Sequence, residues 1–269
     1  MTIEWTTRQL ELGDDVSIRA LHGIQSGGER GRPTLVLLHE ALGCIDMWKT
    51  VPQQLAGRTG CDVFVYERRG YGGSSPIELP RPDDYLEQEG RVWLPRVLDA
   101  AGLGPVVLVG HSDGGSIALI GAAVLGEKVA GVVTMAAHIY VDVLTTAGIN
   151  DAVRRYQAPG SDLPQRLARY HGERTDLLFR AWHETWTRPG YEGFDLRPWL
   201  GDILCPSLIM QGEEDHYGLP AQVEDICEGI GNRARGLMLP GCGHIPHLEA
   251  PEAALTAITD FVGSIVDDR

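Results

Sequence analysis

The chain has 269 residues, 43% hydrophobic and 22% charged, and its 23 basic and 37 acidic side chains give a net charge of -14. That composition suits a globular protein with one sizeable core, while the negative field disfavours phosphate backbones and anionic lipid surfaces as partners and reads most simply as a solubility device. Five cysteines without a CxxC spacing argue against a disulfide framework or structural zinc, and no apolar run nears the ~20 residues that span a bilayer.

The opening MTIEWTTRQLELGDD is charged and lacks the apolar stretch of a secretory signal, so the expected location is the cytoplasm. Residues Thr7 to Ile24 read as two strands broken at the turn pair Gly13-Asp14. From Thr34 to Leu38 the apolar run is continuous, the mark of a strand buried on both faces, and it ends in the loop His39-Glu40-Ala41-Leu42-Gly43. A helix is predicted from about Asp46 to Arg58, with Trp48, Val51 and Leu55 at three- and four-residue spacing. Asp62 to Tyr66 is the next buried strand. Helical signals follow from Asp83 to Ala101, where Gly90 and Pro95 predict a kink or a split. Pro105 to Gly110 reads as a strand, Ser116 to Val124 as a helix of small residues, and Val129 to Ala136 as a strand. Alternation at these intervals predicts an α/β fold, with a mostly parallel central sheet flanked by helices.

The rhythm breaks between Ile139 and Leu200, which holds Trp182, Trp186 and Trp199 on helix-like spacing without a strong buried strand. This stretch is expected to be a helical lid inserted after strand 6, making residues 139–199 a cap on a core of residues 1–138 and 200–269. The pattern then returns with strand Pro206–Gln211, helix Leu219–Glu228, strand Arg235–Leu239 and a final helix Pro251–Val266.

Gly110-His111-Ser112-Asp113-Gly114 matches the G-x-S-x-G nucleophile elbow. The pentapeptide alone is common. A buried strand before it and a small-residue helix after it give it meaning, because they set Ser112 on a sharp turn where neighbouring side chains would clash. A serine hydroxyl attacks well only when an imidazole takes its proton. Among nine histidines His244 is the best placed, in a loop between a strand and the last helix, with His247 as the local rival. An orienting acid is expected between serine and histidine along the chain, among Glu213, Glu214 and Asp215; Asp215 fits a turn three residues after Gly212. It would fix the imidazole tautomer and stabilise its charged form. Acyl transfer also needs donors at the developing oxyanion, here the backbone N–H of Asp113 and of Ala41.

With these four motifs in order, the chain resembles the α/β-hydrolase superfamily over nearly its full length. The resemblance implies the α/β-hydrolase fold and a serine hydrolase acting on a small carboxylic ester, thioester or lactone, with no cofactor and no metal. Serine at the elbow disfavours the members that attack with aspartate; a C–C bond hydrolase or a non-turnover ligand receptor keeping the same triad stays open. The superfamily's oxyanion loop usually begins His-Gly, and here Glu40 replaces that glycine. Its carboxylate either binds a cationic substrate group or ties the loop by a hydrogen bond. Ser-Asp-Gly-Gly at the elbow is similar to valacyclovir hydrolase-type enzymes, which implies that Asp113 recognises the amino group of an α-amino ester. Complementing the helix N-terminus is its simpler role. Substrate-contact candidates are Glu40, Leu42, Trp48, His138, Trp182, Trp186, Tyr217 and Ile245, with core packing as the alternative for the aromatic ones. The expected partner is a small molecule, with neither nucleic acid nor membrane, and a homodimer is admitted as an assembly.

Overall fold

A computed structural model of the protein describes residues 2–26 and 31–267. Strands β1 (Ile3–Glu11) and β2 (Ser17–Gln25) form an antiparallel hairpin, four residues longer at its start than the sequence suggested. After β3 (Thr34–Leu38) come α1 (Val51–Thr59) and β4 (Val63–Tyr66). The segment expected to kink or split stays one helical rod: α2 (Tyr85–Gln88) runs through a π-turn over Glu89–Trp93 into α3 (Leu94–Ala100). Pro95 sits in the first turn of α3, and the π-turn accommodates its missing N–H. Gly90 is there for close approach, since a Cβ on it would lie 2.6 Å from the Ile120 side chain.

The core continues with β5 (Val106–His111), α4 (Asp113–Leu125) and β6 (Val129–Met135). Helix α4 starts three residues earlier than predicted because it springs directly from Ser112. Between β6 and β7 (Ser207–Gly212) the chain is helical, with α5 (Val143–Gln157), α6 (Leu163–His171), α7 (Thr175–Trp186) and α8 (Arg197–Leu200). The remainder is α9 (Ala221–Ile230), β8 (Ala234–Leu239), the single turn α10 (Pro246–Glu249) and α11 (Pro251–Asp267).

Eight strands form one sheet in the order β1-β2-β4-β3-β5-β6-β7-β8, antiparallel as far as β4 and parallel from there on. The apolar strands are buried on both faces, and successive side chains alternate between two cores. Leu35, Leu37, Val107 and Val109 pack on the side of α1 and α11, whereas Val36, Leu38 and Leu108 pack on the side of α4. The carboxyl ends of the parallel strands lie side by side, Leu38 beside Gly110 and Gly212 beside Leu239. Loops leaving those ends therefore meet in one crevice. No helix among the described residues is long and apolar enough to cross a membrane.

Candidate active site

Ser112 follows β5 with a φ of 52° and a ψ of -121°, a left-handed conformation that L-residues rarely adopt. Its N–H donates to Met135 O at 2.8 Å, and its own carbonyl accepts from Gly115 and Ser116 as α4 begins. Glycine is obligatory on both sides of the turn. A Cβ on Gly110 would lie 2.1 Å from Gly114 O, and one on Gly114 would lie 2.0 Å from Leu38 O. The strained elbow is thus enforced by backbone packed on backbone.

Asp215 and His244 leave the ends of β7 and β8, and the turns that carry them are joined by a Glu214 N–H bond to Cys242 O at 2.8 Å. His244 Nε2 lies 3.1 Å from Ser112 Oγ, and its Nδ1 lies 3.0 Å from each Asp215 carboxylate oxygen. Nδ1 therefore carries the ring proton toward Asp215, and Nε2 faces the hydroxyl as an acceptor. Burial pushes the His244 imidazole below its usual range, with the Asp215 carboxylate opposing. Burial would raise the Asp215 carboxyl, but the hydrogen bond from His244 holds it below its ordinary value. A neutral base beside an ionised acid is the state in which imidazole can accept a proton.

The rival His247 reaches no hydroxyl. It packs between Trp48 at 4.7 Å and His111 at 4.9 Å between ring centroids, and burial pushes its imidazole down to about 3. Trp48 is corrected by the same contact. The helix predicted from Asp46 begins only at Val51; Trp48 ends a separate 3-10 turn, Ile45–Trp48, is buried in the α1 and α11 core and is not among the residues lining the cavity. The other substrate-contact candidates, Glu40, Leu42, His138, Trp182, Trp186, Tyr217 and Ile245, do line a cavity of about 370 Å³ above Ser112, together with Ala41 and Asp113.

Several cavity residues carry no signal in the sequence: Met47, Thr145, Ile149, Leu167 and Glu249. Glu249 braces the histidine loop, its carboxylate accepting from Gly243 N–H at 2.7 Å and Ile245 N–H at 3.0 Å. His111 adds a second brace by donating from Nε2 to His244 O at 2.8 Å. Glu40 faces His111 Nδ1 at 3.5 Å. Burial would raise the Glu40 carboxyl, yet the facing imidazole holds it well below the usual carboxylate range. The 3.5 Å contact is not a hydrogen bond, and Glu40 also borders the cavity, so both roles stay open to it.

Asp113 departs from what its resemblance implied. Its carboxylate accepts from Tyr85 Oη at 2.8 Å and pairs with Arg68 Nη1 at 3.6 Å, with both charged side chains almost fully buried. Tyr85 Oη accepts in turn from Trp186 Nε1 at 2.7 Å. The carboxylate is thus committed to internal partners rather than presented to a substrate ammonium. No spacing rule links positions 68, 85, 113 and 186, so the sequence alone did not reveal this network.

The sequence model of the alpha/beta hydrolase family matches residues 35–258. The chain is 24% identical to a proline iminopeptidase of Lactobacillus delbrueckii subsp. bulgaricus, over 88% of this chain and 92% of that protein. It is 28% identical to the serine hydrolase BPHL of Mus musculus, over 92% and 85% respectively. Among solved structures, the 2-hydroxy-6-oxo-6-phenylhexa-2,4-dienoate hydrolase from Rhodococcus sp. strain RHA1 superposes with a TM-score of 0.76 at 16% identity, covering 97% of this chain and 99% of that one.

Proposed function

From the premise that this chain belongs to the alpha/beta hydrolase family, we propose that it is a serine hydrolase cleaving a small carboxylic ester, thioester or lactone through an acyl-enzyme on Ser112. The observation that carries this reading is the unbroken path from Ser112 Oγ through His244 to Asp215. His244 Nε2 takes the hydroxyl proton as Oγ attacks the acyl carbon. The negative charge moves to the carbonyl oxygen, which the amides of Ala41 and Asp113 receive. Collapse of the tetrahedral species expels the alcohol or thiol, to which His244 returns the proton. Water, activated by the same imidazole, then attacks the acyl carbon and releases the acid and free Ser112.

A cavity of about 370 Å³ suits a small-molecule substrate, and Trp182, Ile149 and Leu167 give it an apolar wall for the acyl or leaving group. We read α5 to α8 as the lid that completes this wall. The internal pairing of the Asp113 carboxylate supports ester hydrolysis without an α-amino requirement.

The test uses a p-nitrophenyl ester and a fluorophosphonate probe on wild type and Ser112→Ala. Wild type should release nitrophenol in a burst and gain one phosphonyl adduct on Ser112 by mass spectrometry. Ser112→Ala should lose the adduct and about a million-fold in kcat, leaving only what binding and the oxyanion donors supply. Equal turnover by the two proteins would refute the assignment.

A further inference from the structure

Both amides assigned to the oxyanion lean on one buried side chain outside the cavity. We propose that Arg68 is a positioning residue whose guanidinium aims the Ala41 and Asp113 amides together, a role that rests on the acyl-enzyme reading of Ser112.

Strands β3 and β4 run in parallel with Leu38 beside Tyr66, so the segments that follow them, His39-Glu40-Ala41 and Glu67-Arg68, emerge together. Arg68 N–H donates to His39 Nε2 at 3.1 Å, which leaves the His39 proton on Nδ1. That proton is donated to Glu40 O at 2.7 Å, and Arg68 Nη2 donates to the same oxygen at 2.8 Å. With the Gly43 N–H at 3.1 Å, three donors thus hold the Glu40 carbonyl, and Arg68 is the only charged one. The carbonyl shares a planar trans peptide with the Ala41 N–H, and in such a unit the two groups point in opposite directions. Fixing the C=O toward Arg68 turns the N–H away from it, and Ala41 borders the cavity beside Ser112. Hydrogen bonding at the oxygen also polarises the amide and makes its N–H a stronger donor.

The other arm of the guanidinium, Nη1, lies 3.6 Å from the Asp113 carboxylate, and Asp113 supplies the second N–H as the first residue of α4. Neither amide donates to another group among the described residues. One planar cation therefore spans the two loops that must meet at the oxyanion, and its fork reaches both where an ammonium reaches one. If Arg68 served only to neutralise Asp113, removing both charges together would leave the chemistry unchanged.

The experiment compares wild type, Arg68→Lys, Arg68→Met and the double variant Arg68→Met/Asp113→Asn, each acylated with a p-nitrophenyl ester isotopically labelled at the acyl carbonyl. Burst kinetics give the acylation rate, and infrared difference spectra give the carbonyl band of the acyl-enzyme. Arg68→Met should acylate roughly 10- to 100-fold more slowly with KM unchanged, and its carbonyl band should move to higher frequency as hydrogen bonding weakens. Arg68→Lys should fall between it and wild type in both readouts. The double variant removes the Arg68–Asp113 charges together, so neither partner of that pair is left buried alone as in Arg68→Met, and it should keep the slow rate and the shifted band. A folded Arg68→Met or double variant with wild-type rate and band overturns the proposal. Absence of a burst and of a Ser112 adduct in wild type overturns the acyl-enzyme reading instead, a result distinct from the first.

Discussion

The strand-end turns and the helices α5 to α8 border the same cavity but are held by different forces. On the strand side the main chain holds the elbow and the acid turn, with Glu249, His111 and Arg68 bracing the neighbouring loops: Ser112 hangs from Met135 O, and the Asp215 turn from Cys242 O. Even the empty space there is fixed, since a Cβ on Gly212 would lie 2.1 Å from Cys242 O. On the helical side, side chains hold the wall in place. Trp186 reaches Tyr85 at 2.7 Å, His171 Nε2 donates to Leu42 O at 2.9 Å, and Arg174 donates to the carbonyls of Gly72 and Ser74. Side-chain contacts change with one substitution, whereas backbone contacts do not. The elbow and the acid turn are therefore locked by main chain, while the shape of the helical cavity wall is free to vary.

That contrast can be broken in graded steps. Asp215→Asn should lower kcat by roughly ten-thousand-fold, because the amide orients the wrong tautomer, while substrate binding by the helical wall persists. Steady-state kinetics showing an equal change in KM would place Asp215 in binding instead. Gly114→Ala should cost about 4 kcal/mol or more of stability, since its Cβ would meet Leu38 O at 2.0 Å and only main chain is there to yield. Urea unfolding measures this, and the small gain in stability usual for a helical Gly→Ala change would contradict the crowding.

The buried His247 gives a pH test on the strand side. Its imidazole titrates at about 3 in the folded protein against an ordinary 6.5, so the unfolded chain binds the extra proton first. Stability should therefore fall as pH drops from about 6.5 toward 3, by roughly 4 kcal/mol in all. His247→Phe should flatten this acid limb in urea titrations across that range, and an unchanged slope would assign it to other groups. The smallest effect belongs to the helices: Trp182→Ala should shift the preferred acyl length with a change of roughly tenfold in relative kcat/KM and little loss of fold. A panel of p-nitrophenyl esters of increasing chain length reads it directly.

The parts visible in the sequence are those fixed by local pattern. Continuous apolar runs gave β3 and β5, and the order of elbow, acid turn and histidine loop gave the residues that the structure brings within hydrogen-bond reach. Trp48 was misplaced because its three-residue spacing from Val51 suggested one helix, where the chain breaks at Lys49 and a 3-10 turn buries the ring. The Arg68, Tyr85, Asp113 and Trp186 network was hidden for a related reason. Its members come from four separate elements, and only the assembled sheet and helices make them neighbours. Gly90 and Pro95 predicted a break that packing against Ile120 and a π-turn absorbed.

Asp142 stands where the two regions join. One of its carboxylate oxygens caps α5 through the N–H groups of Leu144 and Thr145, and the other accepts from Leu219 N–H and Gln222 Nε2 just beyond the Asp215 turn. Helix α5 carries Thr145 and Ile149 into the cavity wall. It cannot swing outward without either surrendering those bonds or dragging the acid's turn along. One carboxylate thus makes the cavity wall at α5 and the segment after the Asp215 turn a single hydrogen-bonded unit.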